Sequence, residues 1–195
     1  MENEIPELTV RPLTRDDWPV IERLFGPKGA CGGCWCMLWR APYGGQRFED
    51  DKGLPNKQAF RKLVSSGEVY GCLAFAGNEP VGWCSIGPRG SFPGLERSRV
   101  LQTDWDEGTW SVTCLFIPQR WRGRGIALAL VRNAVELARH EGARELEAYP
   151  VVPRCEGTAI PAAFAWTGVP SIFEKAGFLV ATPVGNRRPI YRYSF

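Results

Sequence analysis

Residues 110–151 read WSVTCLFIPQRWRGRGIALALVRNAVELARHEGARELEAYPV. Trp110 to Ile117 is a strongly apolar run, the mark of a buried strand. From Ile126 to Glu141 the apolar residues Ile126, Leu130, Ala134, Leu137 and Ala138 return at helical spacing, with Arg132, Asn133, Glu136 and Arg139 opposite them. Gly142 predicts the helix stop, and RELEAYPV a further strand. Between strand and helix lies Arg120-Trp121-Arg122-Gly123-Arg124-Gly125. Two glycines at a helix entry let the backbone approach a ligand closely, and the first N–H groups of that helix point outward with the positive end of its dipole. The turn is therefore predicted to cradle an anion such as pyrophosphate, with Arg120, Arg122 and Arg124 adding charge in bidentate geometry. A dinucleotide fingerprint would need a third nearby glycine, yet none follows Gly125 before Gly142, and the Gly-Lys-Ser/Thr of a P-loop is absent.

Outward from this unit the element types alternate and nothing repeats. Leu8 to Leu13 reads as a strand, and RDDWPVIERLF as a helix with Asp16 and Asp17 in its first turn, where the dipole favours them. NKQAFRKLV is a second short helix ending near Gly67. Val69 to Ala76 and Val81 to Ile86 form a hairpin across GNEP. Residues 88–108, rich in Gly, Pro, Ser and Arg, make a long connection. After the fifth strand, IFEKAGFLV predicts helix, turn and strand, and PIYRYSF a last strand.

Composition narrows the function classes. A chain of 195 residues with 44% hydrophobic and 23% charged residues suits one globular domain over residues 1–195. The acidic opening MENEIPELTV does not resemble a secretory signal, and no apolar run reaches the ~20 residues that cross a bilayer, so a soluble, cytoplasmic protein without a membrane partner is expected. A net charge of +3 is too weak to point to nucleic acid. Seven cysteines, an odd number, read as thiols.

The R-x-x-G-x-G turn, between a buried strand and an amphipathic helix, resembles the acetyl-CoA-binding motif of the GNAT superfamily, the Gcn5-related N-acetyltransferases, and the order of elements matches that family over nearly the whole chain. The Cys/Trp-rich segment and the YPV after the fifth strand further resemble an uncharacterised bacterial subgroup. The resemblance implies an α/β fold with a mixed, mostly antiparallel, splayed central sheet of about seven strands flanked by helices. It implies acetyl-CoA as cosubstrate, held by Arg120, Arg122, Gly123, Arg124, Gly125, Ile126 and Ala127, with backbone N–H groups around Phe116 and Ile117 along the pantetheine arm. It also implies direct transfer of acetyl to an amine; a homodimer is left open.

Acid and base depart from the family pattern. Many members carry a tyrosine four residues before the Gly-Phe of the last helix, and here that position is Phe173. Strand alternation puts Glu145, Glu147 and Tyr149 on one face, facing a cleft between the fourth and fifth strands. Tyr149 is the expected donor to the leaving thiolate, Glu147 or Glu107 the expected proton acceptor, and Ser171 a substitute acid. The remaining signal is CGGCWCMLWR at residues 31–40. In the family this interval borders the acceptor pocket, so Cys34, Trp35, Cys36 and Trp39, with Met37, are expected to wall an enclosed site for a small-molecule amine. A metal site would need a fourth ligand from Cys72, Cys84, Cys114 or Cys155, and His140 has no partner at ligand spacing; pocket or packing thiols are expected and no metal. The competing class is a non-catalytic acyl-CoA-binding or thiol- or metal-sensing module, which the missing tyrosine and clustered cysteines would suit.

Overall fold

The apolar run becomes β4 (Thr109–Phe116), and around it lie β1 (Leu8–Pro12), β2 (Tyr70–Ala76), β3 (Glu79–Pro88), β5 (Glu145–Ala148), β6 (Leu179–Val180) and β7 (Tyr191–Ser194). The structure is a computed structural model that describes residues 7–152, 160–161, 164–182 and 188–195. The strands form one sheet in the order β1-β2-β3-β4-β5-β7-β6, antiparallel except between β4 and β5. β4 and β5 pair only from Thr109 opposite Glu145 to Val112 opposite Ala148, and β4 then runs on to Phe116 without its neighbour. That opening is the splay of the sheet.

One sheet face is covered by α5 (Ile126–His140), whose buried Ile126, Leu130, Val131, Ala134, Val135, Leu137 and Ala138 form the expected stripe and pack on residues such as Cys84, Ile86 and Val112. Phe173 of α6 (Pro170–Lys175) joins that core. The other face is covered by α1 (Trp18–Phe25), α3 (Leu54–Ser66) and the cysteine segment, around an aromatic cluster of Trp18, Phe25, Trp35, Phe60 and Trp83. Rings there meet at centroid distances of 5.7 Å for Trp18–Trp35 and 6.2 Å for Phe60–Trp83, the range where offset and edge contacts are favourable.

Three local differences from the sequence expectation have physical causes. The helix expected from residue 15 begins as a 3-10 turn, Arg15–Asp17, because the Asp17 carboxylate is drawn back to Arg11 at 2.6 Å and accepts the Thr14 N–H at 2.7 Å. A short α2 (Gly45–Asp50) appears within the polar segment, pinned by buried Phe48. The connection 88–108 is not open loop: it holds a 3-10 turn, Arg89–Ser91, and α4 (Pro93–Glu96), and it buries Arg89, Phe92, Leu95 and Leu101.

Register carries one further feature. Ser85 pairs with Cys114 but Ile86 with Val112, so Thr113 is an extra residue in β4, a bulge. Val112 and Leu115 face the α5 core, whereas Thr113 and Cys114 both face the opposite side, where Thr113 Oγ1 meets Ser85 Oγ at 3.1 Å.

Candidate active site

The site begins where β4 leaves the sheet. After Phe116 a 3-10 turn, Gln119–Trp121, leads into the glycine turn, and Gly125 caps α5 in the left-handed region at φ 77°, with Gly123 at φ 74°. Any side chain there would add strain of roughly 1–2 kcal/mol per residue, which explains glycine at both positions. The first turn of α5 contains no acidic residue, so nothing opposes an anion at its N–H groups.

The three arginines do not act alike. Arg120 is paired with Glu79, which also accepts the Trp121 indole N–H at 3.2 Å, so its charge is already compensated. Arg122 donates from Nε to the Ile117 carbonyl at 3.0 Å and lines the adjoining cavity. Arg124 lies 5.1 Å from the Trp121 ring centroid. That cavity, of about 440 Å³, runs from Arg122 and Ala127 along Leu115, Phe116 and Ile117 to Trp166 and Val169. On its β4 wall the Leu115 N–H donates to the Trp166 carbonyl at 2.6 Å. Strand alternation therefore turns the Phe116 N–H toward β3 and that of Ile117 to the open edge. Of the two amides expected along a bound arm, Ile117 is the one presented to the splay.

A second cavity of about 260 Å³ adjoins the first, sharing Ala30, Cys31, Leu115, Phe116 and Trp166. Cys34, Cys36 and Trp39 line it, with Cys114, Phe48 and Lys52. Trp35 does not: it is buried, stacked on Trp18 at 5.7 Å and tilted against Phe25 at 5.7 Å, and Met37 is likewise in the core. The cause is the backbone, since Trp35 and Cys36 both take positive φ, 44° and 58°, and at this reversal Trp35, Cys36 and Met37 are all buried in the core of that face. The Trp39 indole stands 5.8 Å from Trp166.

The acid and base candidates lie elsewhere. Glu145, Glu147 and Tyr149 do share a face, reaching Thr109 Oγ1 (2.9 Å, from Glu145) and Ser111 Oγ (2.8 Å, from the Tyr149 hydroxyl). The cleft expected over that face is filled by the connection 88–108, so Glu147 and Tyr149 are fully buried and line neither cavity. The Tyr149 hydroxyl donates to Glu147 Oε2 at 2.8 Å, Arg192 donates to Glu147 Oε1 at 2.9 Å, and Arg89 Nε lies 3.3 Å from Oε2. Burial first, and then the Glu147 charge, push the Tyr149 hydroxyl well above its ordinary range. Glu107 is exposed before the start of β4, ~24 Å of strand from Phe116. Ser171 is exposed on α6.

Among the cysteines, Cys36 and Cys114 come to the same side of the sheet and line one cavity: the indole N–H of Trp83 donates to the Cys36 sulfur at 3.3 Å, and Cys114 stands opposite Ser85 in the β3–β4 register. Only the strand bulge, which leaves no sequence signal, brings Cys114 to that side. Among the described residues no group of three or more His, Cys, Asp or Glu side chains is arranged to hold a metal ion, and Cys155 lies outside them.

Residues 35–155 match the GNAT acetyltransferase family. No curated protein matches the chain. Among solved structures, a GNAT-family protein of Desulfovibrio desulfuricans is 16% identical with a TM-score of 0.54, covering 96% of this chain and 99% of its own. The PaiA N-acetyltransferase of Thermoplasma acidophilum in complex with coenzyme A is 15% identical (TM-score 0.53, 97% and 99% covered). An aminoglycoside acetyltransferase in complex with coenzyme A is 17% identical (TM-score 0.55, 96% and 95% covered). At these identities the likeness is one of fold.

Proposed function

Because the chain belongs to the GNAT family of acetyltransferases, we propose that it moves an acetyl group from acetyl-CoA directly to a primary amine of a small molecule. The observation that carries this reading is the continuity of the two cavities: an anion cradle opens into one, and that one meets a second, aromatic-walled cavity across Leu115, Phe116 and Trp166. The cradle fits the donor, since two left-handed glycines, a first helical turn without acid and Arg122 suit a pyrophosphate. Arg122, Arg124 and the amides from Gly123 to Ala127 hold that group, and the Ile117 N–H serves the arm. Arg120 is the weakest of the expected contacts because Glu79 holds it.

Acetyl-CoA brings an activated thioester. The protein's residues exclude water and orient the acceptor: Trp39, Trp166 and Phe116 wall the smaller cavity, whose size suits a compact amine better than a polypeptide. Tyr149 and Glu147 enter this reading as positioning residues that hold β4 through Ser111, with no role proposed for Glu107. The Phe173 in place of a tyrosine suits a non-catalytic acyl-CoA-binding module, and turnover separates the two. Calorimetry with acetyl-CoA, followed by free-CoA detection across a panel of small amines and one peptide amine, tests both. Binding with CoA release on a small amine is expected; binding without turnover on any amine leaves the binding module, and absence of binding overturns the cradle.

A further inference from the structure

Arg40 is a buried cation whose charge needs a partner. It is 8% exposed, its Nη2 lies 3.2 Å from Ser85 Oγ, its guanidinium carbon lies 4.5 Å from the Phe92 ring centroid, and its Nε has no hydrogen-bond partner among the described residues. No ion pair joins it to a carboxylate among those residues; the Ser85 it reaches stands opposite Cys114 in the β3–β4 register, and the ionisable groups whose charge acts on it are Cys36 and Cys114. Arginine keeps its proton in proteins, and an uncompensated buried charge is costly, so Arg40 needs an anion beside it. The surroundings of Cys36 are built for one. The Trp83 indole N–H donates to its sulfur at 3.3 Å, Cys114 lines the same cavity, and Ser85, which Arg40 reaches, stands opposite Cys114 in the β3–β4 register. Two successive non-glycine residues, Trp35 and Cys36, are held at positive φ to place it there, a backbone cost that marks functional positions. Both sulfurs line the smaller cavity.

We propose that Cys36 and Cys114 form a peroxide-reactive site, in which the Cys36 thiolate, held against Arg40, is oxidised by a hydroperoxide and Cys114 then closes a disulfide with it. In the first step the thiolate attacks the peroxide oxygen, the O–O bond breaks and, with one proton taken from solvent, Cys36 becomes a sulfenic acid while the peroxide departs as water or an alcohol. In the second the Cys114 thiol attacks that sulfur, the S–O bond breaks and a second water departs. Overall two thiols and one peroxide give one disulfide. Arg40 stabilises the thiolate and the developing oxyanion, the role of a fixed cation at a breaking bond. The cross-link ties the cysteine segment to β4 where the two cavities meet. The proposal stands apart from acetyl transfer, since it needs neither acetyl-CoA nor an amine.

Hydrogen bonding from Cys114 first, against burial, and then Arg40 bring the Cys36 thiol down to about 6. The test is an equimolar hydrogen peroxide pulse on the reduced protein at pH 6, with tryptic mapping by mass spectrometry. Cys36 should react about tenfold faster than N-acetylcysteine in the same tube, its larger ionised fraction outweighing its lower nucleophilicity. A linked Cys36–Cys114 peptide that dithiothreitol releases is expected. In Cys114→Ser, oxidation should stop at a sulfenic acid that dimedone traps on Cys36; in Cys36→Ser, Cys114 should survive the pulse. Oxidation confined to exposed Cys31, or a Cys114 that oxidises as fast without Cys36, overturns the proposal. The wild-type map alone decides even where a variant fails to fold.

Discussion

Tyr149 shows how a chemically suggestive residue is reassigned by its neighbours. Its hydroxyl is closed between Ser111 and Glu147, and each oxygen of Glu147 is already engaged by an arginine. Tyr149→Phe should therefore lower stability by about 1–3 kcal/mol, because Glu147 loses a buried donor, while kcat and acetyl-CoA affinity change by no more than a few-fold. Melting and turnover measured on the same variant check this. A loss of ~10²-fold or more in kcat at unchanged melting would return Tyr149 to the role of acid. The shared face of Glu145, Glu147 and Tyr149 was legible in the sequence because alternation is a local property of an extended chain. What lay over that face was not, since it depends on where the connection 88–108 docks, and Arg89 is drawn in by a carboxylate far along the chain.

The strand, glycine turn and helix form the element whose chemistry was most legible. Period and glycine placement are local, so β4, the turn and α5 emerge within a residue or two of their expected bounds. Gly125→Val tests the turn. An ideal Cβ at Gly125 meets no atom within 4 Å, so the fold tolerates its volume, and the cost is the left-handed φ of 77°. A melting shift equivalent to roughly 1–2 kcal/mol is expected, with a larger loss of acetyl-CoA affinity by calorimetry because the cap amides move. Unchanged affinity would sink the cradle. The bulge at Thr113 belongs to the same strand and was invisible, because nothing in SVTCLF distinguishes an extra residue from regular alternation. It sends Cys114 toward Cys36 instead of toward α5.

Across the whole molecule the buried thiols set a pH dependence. Burial raises Cys72 to about 12 and Cys84 well above the ordinary 9.0, and hydrogen bonding to Cys36, with burial, raises Cys114 as well. Above pH 9 the unfolded chain releases these protons and the folded chain keeps them, so the native state binds more protons and stability falls as pH rises, by about 1.4 kcal/mol per pH unit for each such thiol. Cys36 has the opposite sign: its contribution is full above the ordinary thiol value and fades as pH drops from 9 through about 6. Melting temperature should therefore fall steeply on the alkaline side, and less steeply in Cys84→Ala once corrected for the cavity. Identical slopes in the two proteins would remove the explanation.

The sequence by itself determined the local order of strands and helices and the anion cradle before α5, because periodicity, capping and glycine backbone freedom act over a few residues; the family came from the resemblance of that motif and element order. Only the tertiary structure decided which side chains share a cavity. The meeting of Cys36 and Cys114 on one cavity across 78 residues, the turning of Trp35 into the core, the capture of Arg120 by Glu79 and the closing of Tyr149 under Arg89 each join distant parts of the chain. The physical reason is common to all four: a charge, donor or ring meets whatever the packed sheet brings opposite it, and that partner is chosen by register and docking.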